Sequence, residues 1–362
     1  MKILHTSDLH LREEDDRRWQ VLEEIIATAA NEQVEILVIS GDLFDKDVNA
    51  EELRGKIRPL FSNKDFDVLL LPGNHDAVSY REGLHFGDNV TVFNKFDKQV
   101  EYPKKKVRFR GLPFEELKGE ALLGEIKLID EQIPADSWKN IVLYHGQLQH
   151  RGYLSGDFGK EGKKQYMPLK LSYLEDTSFD YVLAGHYHSQ YRAENFNENS
   201  FFIYPGSPVP VNRSETGPRT INLFNPHEEF EPKKSRHELA VKYFEKIKIF
   251  IDPTKKISPI KELKQRLKEF PDHCRGLVEV DGFFDGEKIG MNEEKLRQKL
   301  DELEKDNSKI EQIKFTARDT SGITDSELYK KFLNRLEEKE LEDDLKEKTR
   351  KLTLQAMVEV SR

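Results

Sequence analysis

Residues 36–45 read Ile36-Leu37-Val38-Ile39-Ser40-Gly41-Asp42-Leu43-Phe44-Asp45, an apolar strand-like run that stops at a glycine and delivers two carboxylates. The pattern recurs at four other places. Ile3-Leu4 leads into Asp8-Leu9-His10, and Val68-Leu69-Leu70-Leu71 into Gly73-Asn74-His75-Asp76. Ile141-Val142-Leu143 leads into Tyr144-His145-Gly146, and Tyr181-Val182-Leu183 into Gly185-His186-Tyr187-His188. Strands alternating with helices imply an α/β sheet whose strand ends meet at one rim, where such folds place ligands. Asp8, His10, Asp42, Asn74, His145, His186 and His188 then form the donor set of a two-metal centre, with His75 in excess.

Asp8 and His10 stand at i and i+2, as do His186 and His188. On an extended strand end both side chains of such a pair point to one side. Two pairs can therefore grip two ions from opposite walls of a cleft. Asp42 is the candidate bridge, because one carboxylate can share its two oxygens between ions. Asn74 adds a neutral amide oxygen. This donor mixture suits manganese, iron or zinc better than calcium. Two ions about 3.5–4 Å apart activate water near neutral pH, clamp a phosphate in line and neutralise transition-state charge. His75 follows Asn74 directly and is placed to protonate the leaving oxygen, with Asp76 as its orienting partner. Singly, each block has a plain alternative, such as a surface Asp-x-His or a Gly-Asn-His turn. His5 and His85 fit plain roles, one packed in the first strand and one in a loop. Five blocks in order, each behind a strand, point to a site.

These motifs resemble those of the calcineurin-like metallophosphoesterases. Within them the chain is similar to the SbcD-type DNA repair nucleases, counterparts of the Mre-eleven nuclease. The narrower likeness rests on Ile3-Leu4-His5-Thr6-Ser7-Asp8-Leu9-His10-Leu11, on Gly41-Asp42-Leu43-Phe44-Asp45 and on Tyr204-Pro205-Gly206-Ser207-Pro208. The resemblance implies an α/β four-layer sandwich of two facing mixed sheets flanked by helices. A small α+β capping domain and a C-terminal helical tail would follow. It implies that Asp8, His10, Asp42 and His188 hold one divalent ion, with Mn2+ expected. Asp42, Asn74, His145 and His186 would hold the other, and His75 would be catalytic. It also implies DNA as substrate, an SMC-like coiled-coil ATPase of SbcC type as partner, and a homodimer. Leu53, Ile57 and Leu60 are candidates for the dimer contact, or equally for the core. One departure is Asp45, which stands where many archaeal and eukaryotic relatives carry histidine. That leaves the balance of exo- and endonuclease action open and makes Asp45 a candidate substrate contact.

Composition bounds the rest. A chain of 362 residues fits one large domain and a smaller one. The single cysteine, Cys274, permits no internal disulfide and fits a reducing compartment. The start, Met1-Lys2-Ile3-Leu4-His5, is too polar for a signal peptide, and no apolar run approaches membrane length. The expectation is a cytoplasmic protein with no membrane contact. A net charge of −9 argues against a simple nucleic-acid binder, although bound metals would place positive charge where a phosphate sits. Lys104, Lys105, Lys106, Arg108 and Arg110 crowd one hairpin, and Lys160, Lys163, Lys164 and Lys170 lie in a loop after His145. Each set fits a phosphate-tracking surface or a solvated charged face.

The expected nuclease domain spans residues 1–232, with helices over 16–31 and 50–61. Residues 201–204 and 220–224 read as strands of the second sheet. The proline-punctuated stretch 225–234 reads as a linker. A capping, DNA-recognition domain over 233–322 follows, with strands over 243–251, 276–280 and 310–315. Its helices open at Ser258-Pro259 and Asn292. Residues 323–362 form C-terminal helices, with Leu328, Phe332 and Leu336 on an apolar stripe. Within the resemblance they bind the ATPase; a hairpin folded onto its own domain fits equally. Two other functions stay open. A small-molecule phosphodiesterase or phosphatase would use the same metals but needs no capping domain or tail. A scaffold subunit for the ATPase would lack ligands, and none is missing.

Overall fold

The apolar runs become strands, and their order along the chain builds the layers. The computed structural model describes residues 1–12, 17–46, 48–62, 64–81, 85–153, 157–158, 164–252 and 258–360. Asp16, Lys160 and Lys163 lie outside the described residues. β1 (Ile3–Thr6), β2 (Ile36–Ser40), β3 (Asp67–Leu71) and β4 (Val90–Val92) run parallel, joined through α1 (Arg17–Asn31), α2 (Ala50–Phe61) and α3 (Ala77–Arg81). A second sheet follows from β5 (Gln99–Tyr102), β6 (Val107–Leu112), β7 (Lys139–His145), β8 (Tyr181–Gly185), β9 (Arg192–Asn197) and β10 (Ser200–Tyr204). α4 (Glu120–Glu131) connects β6 to β7. The chain then returns to the first sheet through β11 (Thr220–Phe224), α5 (Pro232–Ser235) and β12 (Arg236–Glu238). The sheet orders are β12-β11-β1-β2-β3-β4 and β5-β6-β7-β8-β10-β9, both mixed.

Period-two alternation divides each strand between two cores. Ile36 and Val38 of β2 and Leu69 and Leu71 of β3 meet Phe109, Ile141, Leu143 and Leu183 of the second sheet. Leu37, Ile39, Val68 and Leu70 face the other way, onto Leu22 and Ile25 of α1 and Ile57 of α2. Val142, Tyr144, Val182 and Ala184 likewise cover Leu122 and Ile126 of α4. Burial on both faces is why these strands read as continuous apolar runs. The result is the helix–sheet–sheet–helix sandwich expected.

Three expectations change. Thr220–Phe224 joins the first sheet, antiparallel to β1, instead of the second. The stretch after it does not end the unit, because Arg236–Glu238 pairs with β11 as an edge strand. The compact unit therefore extends to Tyr243 rather than 232. Leu53 and Ile57 are buried and Leu60 packs against the same cluster, so they serve the core.

The second unit, Phe244–Arg362, has its own core. Its chain runs β13 (Tyr243–Ile251), α6 (Pro259–Lys268), β14 (Cys274–Phe284), α7 (Gly286–Ile289), α8 (Glu293–Asp306), β15 (Ile310–Phe315) and β16 (Arg318–Asp319). Pro259 starts α6, but the Ser258 side chain makes no capping bond. Asn292 does cap α8, accepting from the Lys295 amide at 2.9 Å. The tail is α9 (Glu327–Glu337) and α10 (Asp343–Val360). Tyr329 and Leu354 pack against Phe283 of β14, so the tail folds onto its own unit. Among the described residues no helix is long and apolar enough to cross a membrane.

If the layer between the sheets is the main core of the first unit, Leu143→Ala should cost about 2–5 kcal/mol of stability. Denaturant unfolding measures this, and an unchanged midpoint would contradict it.

Candidate metal centre

Every block leaves its strand at the same rim, and the backbone there is unusual. Asp8, His10, Asp42 and His186 adopt positive φ of 56°, 50°, 52° and 89°. Such values are uncommon for residues other than glycine and cluster where structure over-determines them. The expectation that Asp8 and His10 point together from an extended strand is therefore corrected. β1 ends at Thr6, and left-handed turns aim both side chains. The turns are held by neighbouring loops: the amides of Asp8 and His10 donate to the carbonyls of Gly41 and Asp42 at 3.0 and 2.9 Å. Close approach requires glycine at several positions here, Gly41 and Gly73 among them. A Cβ on Gly41 would overlap the His145 ring, and one on Gly73 would overlap the Asp42 carboxylate.

The structure brings all seven expected ligands together. Asp8, His10 and His188 form one group with ligand atoms within 4.8 Å of one another, and Asp42, His145 and His186 form another. Asn74 Oδ1 lies 3.1 Å from His145 Nε2. Asp42, a member of the second group, also reaches His10 of the first. Its Oδ1 accepts from the His75 amide at 2.9 Å. Its Oδ2 is buried, accepts no hydrogen bond among the described residues, and has Nε2 of His145, His10 and His75 at 3.4, 3.8 and 4.0 Å. His186 Nε2 is likewise buried without a hydrogen bond. Orphaned buried acceptors are costly. An orphan carboxylate oxygen ringed by imidazole nitrogens fits divalent cations of the manganese, iron or zinc type.

The electrostatics show the same demand for positive charge. Burial alone would raise the carboxyls of Asp8, Asp42 and Asp45, yet facing imidazoles hold all three well below the usual range. Burial would lower His145, but Asp42 outweighs it and lifts the ring to about 9. Burial, with the neighbouring His145 charge, takes His186 down to about 3. Burial would also lower His188, but Asp8 and Glu215 raise it.

Other expected roles are redistributed. Asp76 does not face His75 as its orienting partner. Its carboxylate accepts from the amides of Gly73 and Phe44 at 2.7 and 3.2 Å, bracing the turn that carries Asn74. Burial and the Asp42 charge lift Asp76 to about 7. Asp45 stands beside His75 instead, 3.2 Å from Nδ1. The Lys46 amide is 3.1 Å from the same nitrogen. The amide can donate to a neutral ring, and Asp45 can accept from a protonated one. Asp45 also accepts from Arg12 Nε at 2.6 Å and Arg18 at 3.1 Å. A buried, anionic, fully engaged carboxylate is no phosphate contact, so that expectation is withdrawn.

The basic hairpin is corrected as well. Arg108 is buried against Glu101, Asp136 and Asn140, and Arg110 against Gln132. Lys105 pairs with Glu35, while Lys104 and Lys106 are exposed. The hairpin lies by Val107, paired with Lys139 at the start of β7, whereas His145 ends that strand. Six residues of strand put it about 20 Å from the site. Lys164 and Lys170 lie over Tyr166 and Tyr173. In the tail, Leu328 is exposed, Phe332 is partly buried and Leu336 is buried. Four-residue steps drift about 40° each around a helix, which turns Leu336 inward. Sequence reasoning missed Arg18, Glu215 and Arg219, all buried at this rim. Glu215 follows Tyr204-Pro205-Gly206-Ser207-Pro208 by a few residues, but spacing alone does not point it at His188.

If Asp42, whose Oδ2 faces His10 of one group and His145 of the other, bridges two ions, Asp42→Ala should remove both, whereas His10→Ala should weaken mainly one. Elemental analysis decides: an Asp42→Ala protein that keeps two ions would refute the bridge.

With this geometry in hand, comparison with known proteins is specific. The family model for calcineurin-like phosphoesterases matches residues 1–190. The SbcD component of nuclease SbcCD from Staphylococcus epidermidis is 26% identical over 67% of this chain and 72% of its own length. The DNA double-strand break repair protein Mre11 of Saccharolobus solfataricus is 25% identical over 59% of this chain. Its counterpart in Methanosarcina acetivorans is 24% identical over 62%. The matches span 56% and 36% of those two relatives. The matched segment carries the five blocks, both ligand groups and His75, and the chain therefore belongs to the calcineurin-like phosphoesterases, metal-dependent hydrolases of phosphoesters.

Proposed function

We propose that this chain is a two-metal phosphodiesterase acting on DNA, the nuclease subunit of a break-repair complex with a coiled-coil ATPase. One observation carries the two-metal reading: the orphaned Oδ2 of Asp42 among imidazoles delivered by the ends of β1, β3 and β7. Asp8, His10, Asp42 and His188 would hold one ion, and Asp42, Asn74, His145 and His186 the other, with Mn2+ the first to try. Bound divalent ions supply a nucleophile from water near neutral pH and stabilise charge on the phosphoryl oxygens. His75 holds its Nε2 toward Asp42, at the edge of both ligand groups. It is the proton donor to the leaving oxygen, with Asp45 supporting its protonated form. Asp76 holds the turn that presents Asn74 and His75.

The names of the relatives support DNA as substrate. In the second unit a groove between α6 and α8 is lined by Lys261, Lys264, Lys268 and Lys299, alongside Glu302 and Asp306. It suits a phosphate backbone. Exposed Leu328, Leu352 and Val360 border an apolar groove on the tail hairpin with Ile323, Ala356 and Met357. That groove is our candidate for docking the ATPase coiled coil.

The direct test is incubation of the purified chain with linear duplex DNA and Mn2+. Cleavage that chelation abolishes is expected. Hydrolysis of cyclic nucleotides with none of any DNA would favour the small-substrate reading. His75→Ala should keep both ions and lose about 10²–10⁴-fold in cleavage rate; near-normal rates in a metal-loaded variant would refute the proton-donor role. Leu328→Glu with Leu352→Glu should abolish capture of the ATPase while metal content and cleavage of a chromogenic phosphodiester persist. Undiminished co-purification would exclude this groove.

A further inference from the structure

The two ligand groups are backed differently. His145 directs Nδ1 at the Ser40 carbonyl, 2.8 Å away, a neutral partner. His188 directs Nδ1 at a carboxylate, with Glu215 Oε1 at 3.1 Å. Its Nε2 faces the centre, 3.4 Å from His10 Nε2 and 3.5 Å from Asp8 Oδ1. Glu215 is itself buried and held in place. The Asn212 side-chain amide donates to its Oε1 at 2.5 Å, and the Val211 amide to its Oε2 at 2.8 Å.

The loop that carries Glu215 connects β10 of one sheet to β11 of the other. It grips the rim on both sides. The Ser207 amide donates to the His188 carbonyl at 3.2 Å, and the Ser207 hydroxyl reaches the Asp8 carbonyl at 2.8 Å. Arg219, fully buried, donates to the carbonyls of His188 and Ser189 at 3.3 and 3.0 Å. The same guanidinium donates to the Thr216 carbonyl at 3.0 Å. Thus one loop fixes the backbones of Asp8 and His188, two members of one ligand group, and places an anion behind the ring of the second.

We propose that Glu215 is a positioning residue for the metal centre, orienting His188 and selecting its tautomer for the Asp8/His10/His188 ion. An ionised carboxylate only accepts, so it requires a proton on Nδ1. The Nε2 lone pair of the neutral ring is then left for the ion. The negative charge also increases the ring's basicity as a ligand. Glu215 lies 3.1 Å from His188 Nδ1, and His188 belongs to the Asp8/His10 group alone, so loss of Glu215 should fall on one ion.

This inference rests on the two-ion reading, and the test separates the two. Mn2+ binding to the full chain is followed by calorimetry, with the visible absorption of the Co2+ form as a second readout. The unaltered chain should bind two ions; binding none overturns the two-ion reading and this inference with it. Glu215→Ala should weaken one ion by about 10–100-fold and leave the other unchanged, with altered absorption for one Co2+ site. Glu215→Gln, which keeps an accepting oxygen, should lose less than Glu215→Ala. Two ions bound with unaltered affinities in Glu215→Ala, or equal weakening of both, would overturn the role. If Glu215→Ala fails to fold by circular dichroism, the isosteric Glu215→Gln carries the test, and unaltered affinities there overturn it equally.

Discussion

The rim of this molecule is organised by the cost of burying anions. Asp8, Asp42 and Asp45 are all buried at the strand ends, within reach of one another's histidine partners. An ionised carboxylate in such a place is tolerable only when paired and hydrogen-bonded. Imidazoles, amides and two arginines supply part of that compensation. One oxygen, Asp42 Oδ2, faces imidazoles but accepts no hydrogen bond among the described residues. The surrounding polypeptide is arranged around that unmet demand, and a divalent cation is the simplest group that meets it.

The same demand explains the backbone. Four of the candidate ligands adopt positive φ although none is glycine. Each such residue costs of order 1–3 kcal/mol, so packing must hold it there. The two sheets and the paired loops after β1 and β2 provide that constraint. Gly41 and Gly73 are needed for a different reason, since any side chain there would occupy the space of the His145 ring or the Asp42 carboxylate. The rim is thus a place where local preference yields to geometry imposed by the rest of the fold.

The second unit follows ordinary rules more closely. Its helices begin at Pro259 and Asn292, and its strands alternate between core and solvent. Its tail is amphipathic twice over. One face closes on Phe283 through Tyr329 and Leu354, and another leaves Leu328, Leu352 and Val360 uncovered.

The sequence alone determined the strands, their alternation with helices and the seven convergent donors, because continuous apolar runs and residue type are local properties. The runs alone gave only a mixed α/β class; the phosphoesterase sandwich came from the family resemblance that the five ordered blocks carry. Tertiary structure decided what local pattern cannot carry. Thr220–Phe224 could pair in either sheet until β1 offered it an edge. Arg108 and Arg110 look like surface cations until Glu101, Asp136 and Gln132 bury them. Asp76 adjoins His75 in sequence, yet Asp45, thirty residues earlier, stands at its ring. Glu215 reaches His188 only because a loop between sheets folds back over the rim. Partners set by chain closure over tens of residues leave no periodic trace, and they are the ones that only the folded chain reveals.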